Sequence, residues 1–198
     1  MSSSASTKHE LPKLWTAIND VLDYSNKLEK VIRIIAKLIV MWRMRAAGLT
    51  PSSNNLEDPV ADDLKAAEKL LLLTAMPATY SAFADGKLLS LNPEKLGSLV
   101  VTRGRFGEKS LSRLLGVPYL PILMPDTRTA FLHMVRAHEG EHGSTHGSIV
   151  TTLARSREKV WIILARDLAK RVVSQCPCAK EIKRSCRLSA WELSKKKV

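Results

Sequence analysis

Two histidines and two cysteines near the end of the chain set the strongest limit on how this sequence can fold. His138-Glu139-Gly140-Glu141-His142-Gly143-Ser144-Thr145-His146-Gly147 is followed by Cys176-Pro177-Cys178, with 29 residues between His146 and Cys176. A spacer of that length holds two short helices and a turn. Nitrogen donors at one end and sulfur donors at the other make a tetrahedral set for zinc. One such ion ties together helices too short to fold alone, because binding free energy becomes folding free energy.

The pairing of the histidines is open on spacing alone. His142 and His146 lie four apart and would share a face if helical, whereas Gly143 and Gly147 argue against a regular helix there. His138-Glu139-Gly140-Glu141-His142 is also a complete His-Glu-x-x-His string. Read as a zinc hydrolase, it would use His138 and His142 as ligands and Glu139 as base. The surrounding glycines disfavour the helix this needs, and no third ligand is placed downstream. His133 reads as an ordinary helix residue, and His9 carries no signal. The chain has no phosphate-binding glycine loop and no nucleophile elbow, so no enzymatic activity is expected.

Charge is distributed as unevenly as the ligands. From Ala154 to Val198 there are 13 Lys and Arg against four Asp and Glu, a surplus of nine out of a net charge of +12. That concentration suits a polyanion such as nucleic acid, with a solvated basic tail as the plain alternative. The three cysteines, Cys176, Cys178 and Cys186, are too few and too close for a disulfide framework. Met1 to Thr7 is polar and lacks the apolar centre of a secretory signal. An intracellular location, nuclear or cytoplasmic, is therefore expected, where clustered Cys and His more often hold metal. No apolar run reaches the ~20 residues of a membrane helix; the nearest, Val31 to Met44, is broken by Arg33, Lys37 and Arg43.

Periodicity predicts a mainly α chain. Residues 1–11 read as a disordered tail, and Leu14 to Arg45 as a helix with Leu28, Val31, Ile35, Leu38, Ile39 and Trp42 on one stripe. Ser52 to Asn55 reads as a polar connector. Val60 to Met76 reads as a second helix burying Leu64, Ala67, Leu71 and Ala75. Turn residues then dominate to Pro125, with Leu99-Val100-Val101 and Tyr119 to Met124 as extended candidates for a small β-hairpin. Asp126-Thr127 caps a helix running to His138. Thr151 to Lys159 and Leu164 to Ser174 read as short basic helices, with Trp161 and Ile162 in the turn between them and Leu168, Val172 and Val173 buried. The expected organisation is a tail (1–11), a helical and linker region (12–125), a zinc-stabilised helical bundle (126–186) and a basic tail (187–198).

His138, His146-Gly147, Thr152-Leu153, Arg157, Trp161-Ile162, Ala165-Arg166 and the cysteines from Cys176 resemble the zinc-binding module at the N-terminal end of retroelement integrases. Gly104-Arg105, Pro121-Ile122-Leu123-Met124-Pro125 and the helix into Ala137-His138 extend the similarity to Bel/Pao-type LTR retrotransposon polyproteins, where 12–125 would lie between ribonuclease H and integrase. The resemblance implies a zinc ion held by His138, His146, Cys176 and Cys178, with His142 a spectator. It further implies a non-catalytic role in DNA integration through contact with nucleic acid, DNA before RNA, and self-association. Arg155, Arg157, Lys159, Arg166, Lys170 and Arg171 would face phosphates. Lys183, Arg184, Arg187 and Lys195 to Lys197 read as further phosphate contacts, a nuclear import signal or a former linker.

Two departures bear on these expectations. The family pattern ends Cys-x-x-Cys, whereas a single proline separates Cys176 from Cys178, fixing φ and extending the preceding residue. Strained zinc binding, substitution by Cys186, and loss of the site in a decayed fragment or metal-free interaction module all follow as alternatives. No acidic triad follows the module, so strand transfer is not expected.

Overall fold

A computed structural model describes residues 17–51, 57–102, 121–140 and 146–177. Helix α1 occupies residues 17–24, followed by α2 (Leu28–Ala46) and α3 (Ala61–Ala84). A 3-10 turn (Leu89–Leu91) leads to strands β1 (Pro93–Leu96), β2 (Leu99–Thr102) and β3 (Ile122–Met124). Helices α4 (Arg128–Glu139) and α5 (Ile149–Arg157), strand β4 (Val160–Ile162) and helix α6 (Ala165–Gln175) complete the order. The protein is mainly α, with one small four-stranded sheet. The connector 52–55 lies outside the described residues, except for its preceding Pro51.

The first helical run divides where one continuous helix is expected. Ser25 Oγ accepts from the Lys27 amide at 3.2 Å, a local bond that competes with helix continuation. Arg128, from α4, donates to the carbonyls of Leu22 and Ser25 and to Asn26 Oδ1 at 2.7 Å, fastening the break. The buried stripe of α2 is Leu28, Val31, Ile32, Ile35, Ala36, Val40 and Met44. Trp42, expected on that stripe, is 51% exposed, because the stripe drifts toward Val40 and Met44 in the last turns.

Helix α3 also differs from expectation by running through Pro77 to Ala84. Proline removes one amide donor, but tertiary contacts hold the continuation. Met76 and Tyr80 pack against core clusters, and the buried Thr79 hydroxyl lies within reach of both Ala75 O (3.0 Å) and Leu123 O (3.4 Å). Ala67, Leu71 and Ala75 are buried as their spacing predicts.

Strands β1 and β2 form the hairpin, paired from Pro93–Thr102 to Leu96–Leu99 around Gly97, whose φ of 60° suits a two-residue turn. β2 pairs antiparallel with β3. Trp161 and Ile162, expected in a turn between helices, instead lie in β4, which runs parallel to β3 with Ile122, Leu123 and Met124 opposite Val160, Trp161 and Ile162. The bridge between the C-terminal helices is thus a sheet edge that joins them to the middle of the chain. Met76 of α3, Met124 of β3, Met134 of α4, Ile162 of β4 and Leu168 of α6 share one apolar core. A second core unites Ile18, Ile35, Leu71 and Leu132 from α1 to α4.

Candidate metal centre

His138 is the penultimate residue of α4, and Gly140, with φ 75°, ends that helix. The turn back is tied by the Gly147 amide donating to His138 O at 2.8 Å. Ser148 then caps α5, its Oγ accepting from the Thr151 amide at 3.2 Å. Cys176 caps the C-terminal end of α6, its amide bonded to the Val172 and Val173 carbonyls. Two helix ends and one helix entry thereby bring His138, His146 and Cys176 together.

The donors of these three residues lie within 4.8 Å of one another, with His138 and Cys176 buried and His146 exposed. His146 Nδ1 is 3.3 Å from His138 Nε2 and 3.3 Å from Cys176 Sγ. The two imidazoles meet edge to face, with centroids 5.1 Å apart. Burial, then the neighbouring His146, holds the His138 pKa below the usual imidazole value. That favours the neutral ring, the state a ligand requires.

The buried Thr152 hydroxyl favours the His138 tautomer that carries its proton on Nδ1. Thr152 Oγ1 donates to Gly147 O at 3.5 Å, which leaves its lone pairs to accept from His138 Nδ1–H at 3.4 Å. His138 Nε2 then presents a lone pair toward His146 Nδ1. His146 Nδ1 also lies 3.3 Å from the Cys176 sulfur, so one imidazole nitrogen meets both other donors. Together the three residues form a group that can hold a metal ion. Gly147 packs closely here: a Cβ would crowd Thr151 Cβ at 3.2 Å and Thr152 Oγ1 at 3.3 Å.

Of the other expected ligands, His142, Cys178 and Cys186 lie outside the described residues, as do His9 and the basic residues from Lys183 onward. The His-Glu-x-x-His string begins on α4, but the helix ends at Glu139, so the continuous helix that such a string needs stops before its midpoint is passed.

The six basic residues expected to face phosphates are separated by their partners. Arg155 is half-buried and donates to Ala137 O at 3.4 Å, joining α5 to α4. Lys170 pairs with Asp167 at 3.2 Å, and Arg171 pairs with Asp126. Arg157 stacks on Trp161, 5.0 Å from the ring centroid, and Arg166 and Lys159 are exposed. Among the described residues, Arg157, Lys159 and Arg166 make no ion pair. None of the described helices is long and apolar enough to cross a membrane. Comparison with known proteins returns no matching family model, no similar curated protein and no similar solved structure.

Proposed function

We propose that the chain carries a zinc-fastened helical module of retroelement-integrase type, which contacts nucleic acid without catalysing a reaction. The observation that carries this reading is the 3.3 Å spacing of His146 Nδ1 from both His138 Nε2 and Cys176 Sγ. Zinc bonds of about 2.0–2.1 Å to nitrogen and about 2.3 Å to sulfur place neighbouring tetrahedral donors about 3.3–3.6 Å apart. Mixed nitrogen and sulfur donors favour zinc over calcium or magnesium, which take oxygen. Cys178, two residues beyond Cys176, is the proposed fourth ligand.

The basic surplus beyond Ala154 supplies the proposed nucleic-acid contact, with DNA ahead of RNA on the resemblance alone and self-association as a further expectation. Arg157, Lys159 and Arg166 lead this assignment, because a cation already paired must first break that pair. The test joins zinc analysis of untagged protein with duplex DNA binding, before and after chelation. One zinc per chain and DNA affinity that falls with salt support the reading. Neutralising Arg157, Lys159 and Arg166 should flatten that salt dependence by up to about three counterions. Zinc-free protein of unchanged fold and DNA affinity would leave a metal-free interaction module instead.

A further inference from the structure

A second site lies away from the metal group, where α3, β2, β3, α4 and the start of β4 meet around a cleft of about 230 Å³. One wall carries Lys65, Glu68 and Lys69 of α3, and Lys159 stands opposite at the entry to β4. Leu72, Leu99, Ile122 and Val160 supply the apolar lining, and His133 of α4 completes it. His133 is 6% exposed, and its Nε2 is buried without a hydrogen-bond partner, the only such side-chain atom among the described residues. Buried polar atoms are nearly always satisfied, so an unpartnered imidazole beside the cleft is a polar group that packing alone does not explain.

We infer that this cleft binds a small organic anion, its acidic head between Lys69 and Lys159 and its apolar body on Leu72 and Val160, beside the His133 ring. Three ammonium groups face one carboxylate around the opening. Lys65 is engaged by Asp62 at 3.4 Å, whereas Lys69 and Lys159 make no ion pair among the described residues. Burial, then Arg136 and Lys159, holds the His133 pKa down to about 4, so its ring is neutral and offers one donor or one acceptor. A cleft of about 230 Å³ with this lining suits a single ring bearing one acidic group.

The inference stands apart from the metal reading, and its test keeps them apart. The full chain is titrated with benzoate and with phenyl phosphate, before and after chelation, with benzyl alcohol and inorganic phosphate as the partial probes. Saturable one-to-one binding of either aromatic anion, with a shift of the His133 imidazole nitrogen signal, is expected whether or not metal is present. Preference between the two anions assigns the head as carboxylate or phosphate. Lys69→Met alone should weaken binding roughly tenfold or more, and Lys159→Met likewise; Lys69 lies outside the six residues assigned to nucleic acid, so its effect cannot come from that surface. Failure of both aromatic anions to bind overturns the inference. So does affinity unchanged in Lys69→Met protein of unaltered melting temperature, or equally tight binding of inorganic phosphate or benzyl alcohol.

Discussion

Thr152 illustrates how much of the metal group rests on a residue that donates nothing to it. Its hydroxyl lies between Gly147 O and His138 Nδ1, so it favours the proton on Nδ1 and turns the Nε2 lone pair toward His146. Partners that orient a ligating histidine typically contribute about 10–100-fold to metal affinity. Thr152→Val keeps the shape and removes the hydroxyl, so zinc affinity should fall within that range, while Thr152→Ser should restore most of it. Competition against a chromophoric chelator measures both, and an unaltered valine variant would remove the orienting role. His133 gives the residue scale a pH signature. Its unfolded pKa is 6.5 and its folded pKa about 4, so between these values the unfolded chain alone takes up the proton. Stability should therefore drain as pH falls through that window, by about 3 kcal/mol at full extent, and this group adds no pH dependence above it. Urea unfolding at about pH 7 and about pH 4.5 should show that loss in the native chain and less of it in His133→Leu. Equal losses in both proteins would place the acid sensitivity elsewhere.

Between elements, a few polar ties decide the angles that apolar packing leaves loose. Asp63 is 4% exposed and joins α2 to α3, accepting from Arg43 at 2.8 Å and from the Val60 amide at 3.1 Å. Asp63→Ala loses the cap and the tie to Arg43, whose exposed guanidinium then turns to water, at an expected cost of about 1–2 kcal/mol. Asp63→Asn keeps a carbonyl oxygen for Val60 and should lose less; denaturant midpoints of the two variants separate cap from ion pair. The same scale shows what the sequence makes legible. Helices α3 to α6 are readable because their buried positions recur at three or four, and Thr127 announces α4 by accepting from the Ala130 amide. Strand β4 is not readable, because its partner β3 lies some 38 residues earlier and only that distant pairing distinguishes Trp161 in a strand from Trp161 in a turn. The passage of α3 through Pro77 is hidden for a related reason: the contacts of Thr79 and Tyr80 that sustain it come from β3 and its surroundings. His138, His146 and Cys176 stand out in the sequence because imidazoles and thiols are scarce. Thr152 does not, since nothing in its side chain distinguishes an orienting hydroxyl from a buried one.

Across the whole molecule, the proposed metal would support the elements unequally. Helices α1 and α2 bury a continuous apolar face against α3, and that core contains none of the proposed ligands. Helix α4 carries His138 but is also held by Ala130, Leu132 and Met134. Helix α5 is the exception. Its fully buried residues are Thr152 and Ser156, both polar, and Ile149 and Leu153 are only partly buried. Burying such residues gives little hydrophobic stabilisation, so on the proposed reading an ion held by His138, His146 and Cys176 would add to the hold that the Arg155 bond to Ala137 O, Ile149 and Leu153 give α5. A ligand present at a thousandfold excess over its dissociation constant contributes about 4 kcal/mol to the state that binds it. Chelation should therefore withdraw hydrogen-exchange protection first from α5 and from the turn around Gly147, next from the end of α6 at Cys176, and least from α2 and α3. Measured amide by amide, that gradient separates a metal that fastens one helix from a metal that folds the chain. Loss of protection that is uniform from α2 to α6 would mean a single cooperative unit, and the apolar cores would then be unable to stand without the ion. No change anywhere would mean that the three donors converge without supporting the fold, and α5 would owe its place to the Arg155 bond to Ala137 O and to Ile149 and Leu153 alone.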